Sequence, residues 1–267
     1  MRHTTFLSFL MLCTALVSCE KVIDIELKDA EKKYVVEATL ADEPGTAMVL
    51  LSQTKNFSDN NDFEGIGNAT VTITDDEGVV TALNETSAGK YESGSLTGKT
   101  GKSYSLKVVI DGNVFTASST IPEKVNMDSL FISDDDLFGE SRKTANVQYT
   151  DPAGLGQNYR FIQYVNGVKE KSLFIRNDDY TDGNESIVTL RTFSDDEEDE
   201  MKTGDVIEVD MLCIDPAIYK YWYSFESGGA SGDNNSASPA NPVSNITGGA
   251  IGYFSAHTIQ RKMVTAP

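Results

Sequence analysis

The chain has 267 residues, with 22 basic and 41 acidic side chains and a formal net charge of −19. A hydrophobic share of 39% and a charged share of 24% are typical of a globular protein, and the length allows one large or two modest domains. The charge argues against nucleic acid as a partner, because binding a polyphosphate requires a basic face.

The N-terminal segment has the pattern of a lipoprotein signal peptide. Arg2 precedes an apolar stretch over residues 6–17, which is too short to span a bilayer but has the length of a signal-peptide core. The stretch ends at Cys19 in the sequence Leu-Val-Ser-Cys, which resembles the bacterial lipobox. The resemblance implies cleavage before Cys19 and diacylglycerol on its sulfur. A plain secretory signal with an incidental cysteine is the alternative.

The mature protein is therefore expected to be held on a membrane by lipid. Residues 1–18 form the predicted signal peptide, and the charged residues 19–33 form a lipidated tether. No later stretch approaches 18 consecutive apolar residues, so we expect no transmembrane helix. Two or three acyl chains anchor a protein far more firmly than one.

The cysteine and histidine counts argue against most catalytic classes. Of three cysteines and two histidines, Cys213 and His257 are the ones expected to remain unmodified in the mature chain. We therefore predict no internal disulfide, no metal site and no cofactor, since HExxH and CxxC motifs are also missing. The nearest match to a nucleophile elbow, residues 229–232, has Asp233 in place of the second glycine. The prediction is a protein that is not an enzyme, with a hydrolase that uses paired carboxylates as the alternative.

From Tyr34 onward, short β-branched and aromatic runs are separated by Gly, Asn and Asp, which predicts a mainly β fold. Residues 34–122 look like an immunoglobulin-like or transthyretin-like β-sandwich. In Ser103–Ile110 the alternate residues Tyr104, Leu106, Val108 and Ile110 are assigned to the core. The following Asp111-Gly112 pair predicts a type I′ hairpin.

Residues 126–267 are predicted to form a second β-rich domain with one aromatic-rich helix. Asn166-Gly167 predicts a hairpin that leads into a strand over 168–176. Alternation over 206–214 places Cys213 in the core. The glycine-rich residues 246–254 are expected to form the final strand.

The predicted helix starts at Asp215, a good N-cap, with Pro216 at the first helical position. Two interpretations of its aromatic residues stay open. They fill the core beneath the helix, or Tyr219, Tyr223 and Trp222 contact a ligand or a partner. The polar segment 227–245 that follows is long enough to be functional or mobile.

Three acidic runs raise the question of calcium. In residues 178–183 Tyr180 occupies a position that an EF-hand gives to an oxygen ligand, and residues 134–136 fail in the same way. The single-sign run 195–200 is predicted to be a solvated loop. Whether these runs bind calcium stays open.

Six segments resemble the Bacteroidota lipoprotein family called domain of unknown function 4249. They are residues 19–25, 34–38, 42–45, 115–122, 127–130 and 242–254. The resemblance covers essentially the whole mature chain and implies an outer-membrane lipoprotein whose gene often neighbours that of a TonB-dependent receptor. It supplies no catalytic residue.

The function expected from these observations is an accessory protein of a TonB-dependent uptake system. It would capture a small nutrient ligand or dock on the receptor, and its membrane contact would be the lipid on Cys19. A structural or adhesive surface lipoprotein is the alternative. The acidic residues after Cys19 are interrupted by Lys21, so the prediction leaves open whether the protein faces outward or toward the periplasm.

Overall fold

The computed structural model describes residues 31–56, 64–137, 139–192, 200–230 and 241–267. The predictions for the signal peptide, Cys19 and most of the 195–200 run lie outside these residues, as does the middle of the 227–245 segment. Within the described ranges, no helix combines the length and apolar character needed to cross a membrane. The elements below belong to one compact unit, residues 32–55 and 60–267.

Fifteen strands and one α-helix form the regular structure of the described residues, which confirms the predicted mainly β fold. The strands are β1 (Tyr34–Ala41), β2 (Ala47–Gln53), β3 (Thr70–Asp75), β4 (Val80–Ser87), β5 (Lys90–Ser93), β6 (Ser103–Ile110), β7 (Asn113–Thr120), β8 (Met127–Leu137), β9 (Glu140–Thr150), β10 (Asn158–Val165), β11 (Val168–Lys169), β12 (Phe174–Asn177), β13 (Glu185–Leu190), β14 (Val206–Cys213) and β15 (Ile251–Thr265). The helix α1 (Pro216–Phe225) lies between β14 and β15 and continues into a π-helical turn, Glu226–Ala230.

Twelve of these strands join in one sheet. Its order is β11-β10-β14-β15-β1-β2-β5-β4-β3-β6-β7, and β12 also pairs with β10. All neighbours are antiparallel except β1 and β15, which run parallel, with Val35 opposite Ile251. The other three strands form a separate sheet in the order β13-β9-β8.

The first half of the chain forms a β-sandwich around one hydrophobic core. Strand β4 pairs with both β5 and β3, so it connects the layer of β1, β2 and β5 to the layer of β3, β6 and β7. The inward residues of both layers belong to a single buried cluster. In β6 these are the four alternate residues predicted from the sequence, Tyr104, Leu106, Val108 and Ile110.

A second core lies between the three-stranded sheet and the inner face of β10 and β14. Tyr149 of β9 packs against Tyr159 and Phe161 of β10, with ring centroids 4.7 and 6.1 Å away. Cys213 is buried in this core, as predicted, and burial raises the pKa of its thiol.

The chain passes from the first core to the second at the segment predicted as a domain boundary. Ile121 belongs to the first core and Val125 to the second. The C-terminal strand then returns, because Phe254 and Ala256 of β15 pack in the first core. Residues 126–267 thus contribute one strand to the sandwich of the first half.

Both predicted hairpins are present. Asp111 and Asn166 have positive φ angles of 49° and 50°, as the first residue of a type I′ turn requires. The predicted strand over 168–176 is wrong in part. It is interrupted between β11 and β12, where residues 170–173 line a cavity.

The predicted final strand over 246–254 is also wrong in part, since the observed strand begins at Ile251 and continues to Thr265. Residues 244–248 instead cover the edge of β7. Thr247 forms an antiparallel bridge with Thr116 through reciprocal backbone hydrogen bonds of 2.7 and 3.3 Å. An unpaired strand edge is thereby shielded.

Candidate ligand-binding site

The carboxylate of Asp215 fixes the start of α1. The backbone of Asp215 is extended, with φ −73° and ψ 161°. Its carboxylate accepts a 3.0 Å hydrogen bond from the backbone N–H of Ile218, as predicted for an N-cap. The same carboxylate accepts hydrogen bonds from the hydroxyl of Ser119 and the N–H of Thr120 at the end of β7. One buried side chain therefore joins the helix to the sandwich.

The helix packs on the outer face of β10, β14 and β15. Its buried residues Ile218 and Tyr221 form a third hydrophobic cluster with Leu212, Ile214 and Tyr253. Because α1 covers this face, the end of β14 is buried on both sides. Two of the helix's apolar side chains thus have a packing role.

Arg160 of β10 lies beneath the helix against the ring of Trp222. Its guanidinium carbon is 3.7 Å from the centroid of the Trp222 ring, which is a close cation–π contact. Tyr221 and Tyr253 each have ring centroids 5.1 Å from that of Trp222. The guanidinium is therefore held in an aromatic environment.

Two donors in this environment have no acceptor. The Nε atom of Arg160 and the Nε1 atom of Trp222 are buried and have no hydrogen-bond partner among the described residues. Burial lowers the pKa of Arg160, while the phenol of Tyr253, which interacts with the guanidinium, raises it. A guanidinium stays charged at neutral pH even so.

Arg160 also has no carboxylate within ion-pair distance in the described part of the chain. Arg160 is half-buried, and a charge that is partly removed from water without a counter-charge costs folding free energy. The unpaired Arg160 Nε and Trp222 Nε1 atoms do not stabilise the fold through hydrogen bonds, so another role, such as contact with a bound group, would explain them.

A cavity of about 380 Å³ opens beside this pair. Its walls come from β10, from residues 169–173 and from α1, and it is lined by Arg160, Phe161, Ile162, Lys169, Glu170, Lys171, Ser172, Leu173, Trp222 and Phe225. Three of these side chains are cationic and one is anionic. Burial, and next the nearby charge of Arg160, lower the pKa of Lys169. The cavity is thus locally basic in a chain with a formal charge of −19.

The three aromatic residues predicted as a contact site are divided between two surfaces. Trp222 lines the cavity, whereas Tyr219 and Tyr223 lie outside its lining. Their rings are stacked at 6.0 Å with an interplanar angle of 23°, and 55% of Tyr223 is exposed. Tyr223 is therefore available to a partner, whereas Tyr219 packs partly against the third hydrophobic cluster.

The acidic residues considered for calcium have structural hydrogen bonds. Asp178 accepts the backbone N–H groups of Gly156 and Gln157 at 2.6 and 3.1 Å, and Asp182 accepts that of Gly154 at 2.6 Å. These carboxylates hold the loop between β9 and β10. Over the described ranges, no cluster of three or more His, Cys, Asp or Glu residues could hold a metal ion.

His257 is buried and does not line the cavity. Its Nδ1 atom lies 2.9 Å from the hydroxyl of Ser255. Burial, and next the charge of Arg160, lower the pKa of His257 to about 4, so the ring is neutral at physiological pH. The ring therefore carries no charge toward a ligand.

A second, larger concave surface of about 840 Å³ lies on the outer face of β3, β6 and β7. It is lined mainly by hydroxyl side chains, among them Thr72, Thr74, Ser105, Thr116 and Ser118. None of the residues that line this surface is among the described residues with a buried, unpaired donor or acceptor. This surface consequently gives less indication of a specific ligand than the cavity beneath α1.

Sequence reasoning missed Arg160 and Lys169. A signal was present in β10, where Arg160 is a single cation in a strand that is otherwise apolar or neutral on both faces. Its meaning depends on Trp222, which is 62 positions later in the chain and reaches Arg160 only because α1 folds back over the strand.

Comparisons with known proteins give a family but no activity. The family model described as "Domain of unknown function (DUF4249)" matches residues 20–263. Among solved structures, a two-domain fibronectin type III segment from chicken tenascin matches 88% of this chain and 100% of its own, with 10% identity and a TM-score of 0.25. At that TM-score the likeness supports no argument about this chain. The comparison with curated proteins found no match.

Proposed function

Because the chain belongs to the DUF4249 family, which carries no assigned activity, we propose a function from its own residues. The protein is a lipid-anchored, non-enzymatic accessory protein of the outer membrane. It binds a small nutrient ligand for a TonB-dependent uptake system and contacts the receptor through the surface of α1.

The cavity beneath α1 is the observation that carries this proposal. Its volume falls within the range of small-molecule sites, which begins at about 300 Å³. It combines apolar walls with a few charged groups, as such sites do.

The exposed tyrosine pair supports a partner contact next to the ligand. Tyrosine is enriched among the residues that contribute most to binding energy at protein interfaces. Tyr223 and Tyr219 already stack on each other, so little side-chain freedom remains to be lost when a partner covers them.

The sequence Leu-Val-Ser-Cys at residues 16–19 supports the membrane anchor. Acylation at Cys19 would leave residues 20–33 as a tether between the bilayer and β1. Replacing Cys19 with alanine should abolish incorporation of radiolabelled palmitate and release the protein from the membrane fraction. Unchanged membrane association of that variant would contradict the anchor.

Affinity purification from detergent-solubilised outer membranes tests the partnership. The tagged protein should recover one TonB-dependent receptor in stoichiometric amounts. Tyr223→Ala should reduce that recovery by a factor of about 10 or more, the loss expected of an energetically important interface residue. The matched control is Val80→Ala, which truncates an exposed apolar side chain on β4.

Recovery of the protein alone would contradict the receptor partnership and favour the adhesive or structural alternative. Equal loss with Tyr223→Ala and Val80→Ala would contradict the assignment of the contact to α1.

A further inference from the structure

We infer that the cavity between β10 and α1 binds a small organic anion, a carboxylate attached to a flat apolar body. This inference rests on the proposed ligand-binding function and adds the chemical class of the ligand. It follows from the charge of the cavity, its unpartnered donors and its apolar walls.

The charge of the lining favours an anion. Arg160, Lys169 and Lys171 provide three positive charges, and Glu170 provides one negative charge. The rest of the chain is strongly acidic, so this basic site is not a consequence of overall composition. Its net positive charge attracts an anion and disfavours a cation of the same size.

The unpartnered donors indicate a carboxylate. Arg160 Nε and Trp222 Nε1 are N–H groups without acceptors in the described residues, and both side chains line the cavity. A carboxylate presents two acceptor oxygens, which suits a guanidinium and a neighbouring N–H donor. An anion in contact with Arg160 would also supply the counter-charge that the described residues do not.

The walls indicate that the anion carries an apolar body. Phe161, Ile162, Leu173 and Phe225 line the cavity together with the Trp222 ring. A volume of about 380 Å³ is far larger than a phosphate or acetate ion needs. Bare inorganic anions would leave these walls in contact with water, whereas an aromatic or branched carboxylate would cover them.

Calorimetric titration of the detergent-purified full chain tests the inference. The probes are benzoate, its uncharged isostere benzamide, and inorganic phosphate. Benzoate should bind with a Kd below about 1 mM, within the efficiency available to so small a ligand. Benzamide and phosphate should each bind about 10-fold more weakly or not at all, because the first lacks charge and the second lacks an apolar body.

Variants locate the binding. Arg160→Gln should weaken benzoate binding by about 10-fold or more, since it removes a charged donor. Trp222→Phe keeps an aromatic ring but deletes the Nε1 donor, and should weaken benzoate by about 5-fold. Lys99→Gln is the matched control, because it removes one exposed charge outside the cavity and should leave the affinity unchanged.

A stability measurement separates a binding role from a structural one. Without ligand, Arg160→Met should unfold at a higher urea concentration than the native protein, because it removes a charge that has no counter-charge. A large decrease would mean that Arg160 stabilises the fold and would overturn the site assignment.

Three binding outcomes would overturn the inference. They are equal affinity for benzamide and benzoate, preference for phosphate, and no detectable binding of any probe. If the receptor still co-purifies in those cases, the proposed accessory function stands and only the ligand class falls. If benzoate binds as expected but no receptor co-purifies, the proposed uptake partnership fails and the anion site stands.

Discussion

Replacing Asp215 with alanine should destabilise the protein more than the loss of a helix cap alone. Asp215 accepts the N–H of Ile218 at the start of α1, and it also accepts the hydroxyl of Ser119 and the N–H of Thr120 from β7. The residue is 8% exposed, so water cannot replace these bonds.

The magnitude follows from these three hydrogen bonds. Loss of an N-cap costs about 1 kcal/mol, and each of the two further hydrogen bonds to the charged carboxylate contributes roughly 1.5 to 3 kcal/mol. The free energy of unfolding should therefore fall by about 4 to 7 kcal/mol. The Ser119→Ala and Asp215→Ala changes should also be non-additive, with a coupling energy of about 1.5 to 3 kcal/mol.

Urea unfolding, followed by the fluorescence of the single tryptophan, measures these quantities on protein that lacks residues 1–19. Asp75→Ala is the control, because Asp75 also accepts two backbone N–H groups, from Glu77 and Val79, but does so in a hairpin turn. Its loss should cost about 1 kcal/mol or less. Equal effects at Asp75 and Asp215, or additive effects of the Asp215 and Ser119 changes, would refute the reasoning.

Three further predictions concern buried residues. The pKa of His257 is lowered from 6.5 to about 4, so about 3 kcal/mol of stability should be lost as the pH falls from 6.5 to 4. In unfolding measured as a function of pH, His257→Gln should lose less stability over this range. Identical pH profiles of the variant and the native protein would contradict the burial effect. Cys213 should react with Ellman's reagent only as fast as the protein unfolds; rapid reaction in buffer would show that the thiol is accessible. Gly252→Ala should lower the free energy of unfolding in urea by several kcal/mol more than Gly249→Ala. A Cβ atom at position 252 would lie 2.0 Å from the carbonyl oxygen of Val36, whereas nothing lies within 4 Å of one at position 249. Equal losses would contradict that contact.

The features that the sequence predicted well depend on neighbouring residues. The α1 start, the Asp111-Gly112 and Asn166-Gly167 turns and the alternation of β6 each depend on residues within one or two turns of chain. Their conformations are set by local sterics and hydrogen bonding. Such features are visible in a single sequence.

The features that the sequence did not predict depend on distant residues. The parallel pairing of β1 with β15 joins Val35 to Ile251, and nothing local in either strand specifies the other. The sequence predicts a strand at residues 246–250, but this segment instead bridges to Thr116 of β7. Residues close to it in the chain give no sign of that bridge. The interruption after β11 likewise depends on distant residues, because residues 170–173 line a cavity together with β10 and α1.

The candidate site divides in the same way. Trp222 could be identified as a candidate from the aromatic content of the helix. Its partner Arg160 could not, because a cation in a strand is ordinary until the element above it is known. Contact between the two requires α1 to fold over β10, where its apolar residues pack and where Asp215 bonds to the distant Ser119.

Photo-crosslinking in living cells tests the central claim most directly, because it asks what the α1 surface touches where the protein acts. Tyr223, 55% exposed, is replaced by benzoylphenylalanine, and Val80, 61% exposed, is replaced in the same way as the control. The proposal predicts a covalent adduct from position 223 to one TonB-dependent receptor and none from position 80. No adduct at position 223, or the same adduct from both positions, would contradict it.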